Sequence, residues 1–519
     1  MALPLPAAGS GIVKCTLQKQ HTHAMGALAK ESSVATGIEG LDHILGGGFT
    51  ANRIYLIEGD PGSGKTTLAL QYLLEGRARG ESGMYVSLSE TKDELEGVAG
   101  SHGWSLDGIH CYELLPSDEN LMPDGQSRLF HPSEVELSDT TRSILAEVDR
   151  RQPTRIVFDS LSEMRLLAQH PLRYRRQVLA LKQFFIGRKC TVLLLDDRTA
   201  SDNDLQLHSL AHGVISLGHL AQEYGAERRR LRVLKMRGRA FRGGFHDFLI
   251  RSGGLEVFPR LVAAEHHRPF DAEPLKSGVA ELDRLTGGGL HRGTSALLMG
   301  PAGAGKSTIA TQYAVAAAER GERSVLFTFD ESVATLIMRS QGLGIDLKKH
   351  IDAKRIRVQQ VDPGELSPGE FIYAIRHAVE REAARVVVID SLNGYLNAMP
   401  EERFLTIQLH EVLTYLGQQG AVTLMVVAQR GLLGSGMQTP VDASYLADTV
   451  IALRYFEAGG QLRRAISVVK KRSGAHEDTL REFKLRRGGV VLGEPLHDFH
   501  GVMSGIPAFT RLDEPLARR

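Results

Sequence analysis

Two Gly-rich stretches in this chain have the residue types and the spacing to hold a triphosphate. The first, GDPGSGKTT, carries Gly59, Gly62, Ser63, Gly64, Lys65, Thr66 and Thr67. The second, GPAGAGKST, carries Gly300, Gly303, Ala304, Gly305, Lys306, Ser307 and Thr308. Each fits G-x-x-x-x-G-K-[ST]. Its glycines let backbone N–H groups turn inward around phosphate oxygens, its Lys reaches the β/γ-phosphates, and its Thr66 or Ser307 hydroxyl is placed to hold Mg²⁺. Both stretches follow short apolar runs, RIYLIE and TSALLM, so both have the strand–loop–helix context that the chemistry needs.

Three further sets of residues complete the chemistry. Asp159 ends RIVFD and Asp390 ends RVVVID, the strand-end position from which a carboxylate supports Mg²⁺. Glu90 in YVSLSET, and Asp330 with Glu331 in LFTFDES, are candidate bases that would polarise a water or a hydroxyl for attack on the γ-phosphate. Their competing explanation is that of acids drawn to a helix N-terminus by its dipole. Late in each half a basic strand follows, ERRRLRVLKMRG with Lys235 and Arg237, then RRAISVVKKRSG with Lys470 and Arg472. Alternation puts Lys235 and Arg237 on one face, from which they would reach a neighbouring subunit's phosphate as trans-acting fingers. Arg228, Arg229 and Arg230 are expected on a hydrated face or at a subunit contact.

The elements that position these groups recur. Lys65 and Lys306 lie 306 − 65 = 241 residues apart, and Glu90 and Glu331 keep that offset. TGIEGLDHILGGGF and SGVAELDRLTGGGL repeat upstream at the same interval. A unit that long is a duplicated domain and not a solenoid repeat of roughly 20–50 residues. Within each copy, near-continuous apolar runs alternate with amphipathic stretches. In the first copy they are RIYLIE, GMYVSLSE, RIVFDS and CTVLLLDD, and in the second TSALLM, SVLFTFDE, RVVVID and AVTLMVVAQ. That pattern predicts an α/β fold, a mostly parallel sheet with helices on both faces and nucleotide at the C-terminal edge of the strands. The expected domains are an N-terminal arm over 1–25, a first domain over 26–258, a linker over 259–276, a second domain over 277–505 and a tail over 506–519.

Composition excludes several classes. The 519 residues are 42% hydrophobic and 24% charged, enough for two ordinary cores. A net charge of +1 argues against a dominant nucleic-acid surface. Cys15, Cys111 and Cys190 have no metal or redox spacing and suit a reducing, cytoplasmic setting. No apolar run approaches the ~18 residues of a membrane span.

Together these residues resemble the KaiC family, tandem-domain relatives of RecA, over about residues 30–508. The late basic strands and the REFKL segment carry that resemblance beyond a generic P-loop protein. It implies two RecA-like ATPase domains, a homohexamer with ATP and Mg²⁺ at subunit interfaces, and a KaiB-like or signalling-protein partner. It implies ATP hydrolysis in the first domain and Ser/Thr autophosphorylation in the second, as in a timing or signalling switch. Asp330 matches the autokinase base. Ser444 aligns with a phosphoacceptor, and Thr439 is a second candidate. The chain departs from the family pattern at Tyr445, where the second acceptor is a Thr, at Asp330, shorter than Glu by one methylene, and at Ser89, which leaves Glu90 alone. These departures motivate a competing reading, a nucleotide-gated hexameric scaffold without kinase activity. A RecA-like DNA-handling ATPase is the third.

Overall fold

The computed structural model describes residues 32–114, 132–168, 170–198, 205–221, 225–362, 364–397, 405–429, 444–458, 460–497, 499–502 and 508–509. These divide into two compact units.

The first P-loop sits on a nine-stranded sheet. From one edge the order is Ile109–Glu113, Gly83–Ser87, Arg155–Asp159, Thr191–Asp197, Ile54–Gly59, Gly213–Leu220, Arg228–Met236, Phe245–Arg251 and Gly254–Phe258. The first six run parallel, and Phe245–Arg251 returns antiparallel to Arg228–Met236. The second P-loop sits on a sheet of the same order: Ile356–Gln360, Arg323–Thr328, Ala384–Asp390, Val422–Ala428, Ser295–Gly300, Thr449–Ala458, Gln461–Lys471, Arg481–Arg486 and Gly489–Pro495. Six of these strands are parallel and the last three antiparallel. Two mostly parallel sheets with helices are the architecture expected of tandem RecA-like domains.

The apolar runs are strands because both their faces are covered. Every residue of Arg155–Asp159 is buried, and so are six of the seven in Val422–Ala428. Alternate residues of one strand therefore feed two cores. In the second copy Leu298, Val386, Val388 and Leu424 pack on the side of the P-loop helix Lys306–Glu319, while Val387, Ile389 and Met425 face Phe371, Leu409 and Tyr415. Period-2 alternation between two apolar layers is what makes the sequence read as continuously hydrophobic.

Two expectations need correction. The run GMYVSLSE is strand only over Gly83–Ser87. Ser87 Oγ then donates to Glu90 O at 2.5 Å and accepts from Glu90 N at 2.9 Å, turning the chain out of the sheet. The second copy likewise leaves its strand at Thr328, ahead of Asp330. Arg228 was expected on a hydrated face or at a subunit contact; at 7% exposed, it does not lie on a hydrated face. Its neighbours are paired, Arg229 with Glu227 at 2.9 Å and Arg230 with Asp247 at 3.2 Å.

Among the described residues no helix is long and apolar enough to cross a membrane. Cys111 and Cys190 are free thiols.

Candidate functional site

Each P-loop joins the central strand of its sheet to the helix that begins at its Lys. Gly64 and Gly305 cap those helices with φ of 97° and 108°, in the left-handed region. A Cβ at Gly64 would stand 2.7 Å from Ile250 Cδ1, and one at Gly305 would stand 2.7 Å from Phe483 Cε1. Only glycine lets the backbone turn its N–H groups inward here. The result is a helix N-terminus with free donors, the arrangement that attracts phosphate. Ser63 Oγ, inside the first loop, is buried with no hydrogen-bond partner among the described residues.

The lysines fold back over their own loops. Lys65 Nζ donates to Gly59 O at 2.9 Å and Asp60 O at 3.0 Å. It also meets Asp197 Oδ1 at 2.7 Å. Lys306 Nζ donates to Pro301 O at 2.7 Å. Burial pulls the Lys306 ammonium down to about 8, with the Asp390 carboxylate opposing the shift.

The strand-end aspartates stand where the sequence put them. Thr66 Oγ1 donates to Asp159 Oδ2 at 3.2 Å, and Tyr85 OH donates to the same oxygen. At the second site Ser307 and Asp390 line one cavity, and the Ser307 hydroxyl lies close enough to oppose the rise of the Asp390 pKa. Burial raises both carboxyls above the usual carboxylate range, against the hydroxyls that hold them down. Each site thus offers one carboxylate and one hydroxyl side by side at the mouth of a phosphate cradle. That donor set fits Mg²⁺, which takes few protein ligands and completes its shell with phosphate and water.

The acidic segments differ between the copies. Glu90 lies just before the helix Lys92–Ser101, whose N-cap is Thr91 in a capping box with Glu94. The dipole is thereby served by Asp93 and Glu94, and Glu90 is left over. Its Oε2 is buried without a hydrogen-bond partner among the described residues. Burial raises its pKa, with Asp159 and Glu94 adding to the effect. In the second copy Asp330 Oδ2 accepts from Ser391 Oγ. Glu331 is held by Arg339, at 3.0 Å from Nε and 2.8 Å from Nη2. Lys306, Ser307, Asp330, Glu331, Arg339 and Asp390 line one cavity of about 650 Å³, a size suited to a nucleotide.

The late basic residues are also brought together in pairs. Lys235 Nζ donates to His208 O and to Ala211 O, the latter at 2.8 Å, and Arg237 Nη2 to Ser209 O at 2.7 Å. Lys470 Nζ donates to Ser444 O and Ala447 O, both at 2.8 Å, and Arg472 Nη2 to Tyr445 O at 2.9 Å. Ser444 is half-buried and Tyr445 is 53% exposed. Thr439 lies outside the described residues.

Four groups escaped the sequence reading: Tyr85, Asp197, Arg339 and Ser391. Asp197 carried a signal, since it closes the apolar run CTVLLLDD at the same sheet edge as Asp159. Arg339 carried none, standing eight residues beyond Glu331 with no helical i,i+4 spacing to announce the pair.

Comparison with known proteins adds to this geometry. The family model described as ATPase: KaiC matches residues 34–262 and again residues 275–497. The circadian clock protein KaiC3 of Synechocystis sp. is 27% identical over 490 residues, covering 92% of this chain and 95% of the relative. The circadian clock oscillator protein KaiC of Acaryochloris marina is 26% identical, covering 93% and 92%. That of Synechococcus elongatus is also 26% identical, covering 93% of each chain. With both copies matched over most of the sequence, and with a cradle, a lysine and a hydroxyl–aspartate pair in each, the chain belongs to the KaiC family of ATPases.

Proposed function

We propose that both copies bind and hydrolyse Mg-ATP, and that the second also transfers phosphate to a Ser hydroxyl of this protein, as a timing or signalling switch does. The observation that carries the nucleotide part is the repeated pairing of a P-loop hydroxyl with a strand-end carboxylate: Thr66 donates to Asp159, and Ser307 and Asp390 line one cavity with Lys306.

The loop N–H groups, Lys65 and Lys306 bind the phosphates. Thr66 with Asp159, and Ser307 with Asp390, would hold Mg²⁺, which when bound neutralises developing phosphate charge. Glu90 takes the proton of the attacking water in the first site. Its buried, partner-free oxygen and raised pKa suit a base poised nearer neutrality than an ordinary carboxylate. Asp330 and Glu331 are the acids of the second site. Lys235, Arg237, Lys470 and Arg472 serve a neighbouring copy's phosphates, with six copies closing a ring. The carbonyl bonds that hold each Lys–Arg pair to one short segment support this, because a pre-positioned cation loses little entropy on meeting its target.

Ser444 is the proposed phosphoacceptor. Intact-mass measurement after incubation with Mg-ATP tests it. A species heavier by about 80 Da (one phosphate), absent in Ser444→Ala, is expected; no such species, or one that persists in the variant, removes the autokinase site. In that event the exposed Tyr445 beside Ser444 favours the second reading, a nucleotide-gated scaffold whose assembly follows ATP without phosphoryl transfer to itself. A homohexamer that forms with ATP and dissociates without it is common to both readings.

A further inference from the structure

The two copies hold their acidic segments in opposite ways. At the second site Arg339 forks onto Glu331, with both carboxylate oxygens accepting an N–H, at 3.0 and 2.8 Å. The third guanidinium nitrogen, Nη1, donates to Thr308 Oγ1 at 2.9 Å on the P-loop helix. Arg339 is therefore fixed at two ends, and the pair is only about a quarter exposed, 26% for Arg339 and 23% for Glu331. Such charge-assisted, planar contacts are the strongest an Arg makes. A proton arriving on Glu331 would break one arm of the fork. Asp330, by contrast, accepts from the Ser391 hydroxyl and lines the same cavity as Lys306 and Asp390.

At the first site the pattern inverts. The residue matching Asp330 is Ser89, which has no carboxylate, and the residue matching Arg339 is Val98, one 241-residue repeat earlier in the corresponding helix. Glu90 has no guanidinium in its place, and its Oε2 is buried without a partner among the described residues.

From this we propose that Arg339 is a positioning residue that withholds Glu331 from proton transfer, so that the second site works through the first acid of its segment, Asp330, while the first site works through the second, Glu90. This rests on the reading of both copies as phosphoryl-transfer sites. In the step concerned, the attacking hydroxyl oxygen bonds to the γ-phosphorus, the bond to the β–γ bridging oxygen breaks, and ADP leaves with that electron pair. The proton of the nucleophile passes to Asp330. The fork keeps the second acid from competing for that proton, and it keeps a positive charge at the entrance of the P-loop helix.

A gain of function tests it, because loss alone would not separate positioning from folding. In the full chain with Lys65→Ala, so that only the second site turns over, Asp330→Asn is expected to lower ATP turnover by about 100-fold or more. Adding Arg339→Gln should free Glu331 and recover at least about tenfold of that loss. Adding Glu331→Gln should then abolish the recovery. Arg339→Met, which keeps the length and apolar stem of the side chain, repeats the test if the Gln variant fails to fold. No recovery in either folded variant overturns the proposal. So does a recovery that survives Glu331→Gln, which would mean that Arg339 acts on the phosphates directly. If the Lys65→Ala parent assembles with Mg-ATP as the unaltered protein does and still shows no turnover, the second site is not a phosphoryl-transfer site, and this proposal falls together with that reading.

Discussion

The pH dependence of nucleotide binding at the second site follows from one buried lysine. Lys306 is 6% exposed, and burial brings its ammonium down to about 8. Only the protonated form attracts phosphate. With that value, about three-quarters of the protein carries Lys306 charged at pH 7.5 and about a tenth at pH 9.0. Affinity scales with the competent fraction, so ATP should bind about eightfold more weakly at pH 9.0 than at pH 7.5. The sign follows from linkage. Phosphate stabilises the ammonium, so binding takes up a proton, and affinity falls as pH rises through the free-state value. Isothermal titration with a non-hydrolysable Mg-ATP analogue, in the Lys65→Ala chain, measures this directly. Repeating it in two buffers of different ionisation enthalpy counts the proton taken up. Lys306→Arg is the control, since guanidinium stays charged throughout and the pH dependence should vanish. An affinity flat between pH 7.5 and 9.0, or a slope that persists in Lys306→Arg, refutes the reasoning.

Two further outcomes are expected. Asp197 occupies Lys65 at 2.7 Å and is 29% exposed; Asp197→Asn should free the lysine and tighten first-site ATP binding by up to about fivefold, given the ~1 kcal/mol ceiling of partly exposed pairs, measured by titration in the Lys306→Ala chain. Arg155 is 1% exposed and donates to Ala35 O, Tyr72 O and Glu81 Oε2 at 2.8, 2.7 and 2.5 Å; Arg155→Met, by removing the donor to one buried and one part-buried carbonyl and to a carboxylate that solvent still reaches, should destabilise the first unit by roughly 1–3 kcal/mol, seen as an earlier thermal transition with circular dichroism as the probe.

The sequence was most readable where function depends on short-range geometry. The P-loops declare themselves because a phosphate cradle needs Gly at fixed offsets from Lys, and the strands because residues buried on two faces must be apolar in succession. Asp159 and Asp390 were visible because strand ends are visible. What could not be read was the company each group keeps. Tyr85 reaches Asp159 from 74 residues away, across neighbouring strands whose order no local pattern records. The Lys65–Asp197 pair forms because the strand that ends at Asp197 lies beside the one that leads into the P-loop, Gly59 against Asp197, a neighbour relation that sheet topology sets. The acids of YVSLSE and LFTFDE read as strand residues because the apolar run continues past the point where Ser87 turns the chain. Arg339 sits in an ordinary amphipathic helix; its meeting with Glu331 depends on how that helix leans on the P-loop helix. The difference between the copies at Ser89 and the departure from the family pattern at Tyr445 were legible, but the inversion of the acidic segments became apparent only with that contact.

The central claim is two independent ATP sites in one chain, and nucleotide stoichiometry tests it most directly. Equilibrium binding of labelled Mg-ATP should give two nucleotides per chain for the unaltered protein. Lys65→Ala and Lys306→Ala should each bring this to one, and the double variant should retain none and show no ATP turnover. A double variant that still hydrolyses ATP, or a single variant that loses both nucleotides at once, would contradict it.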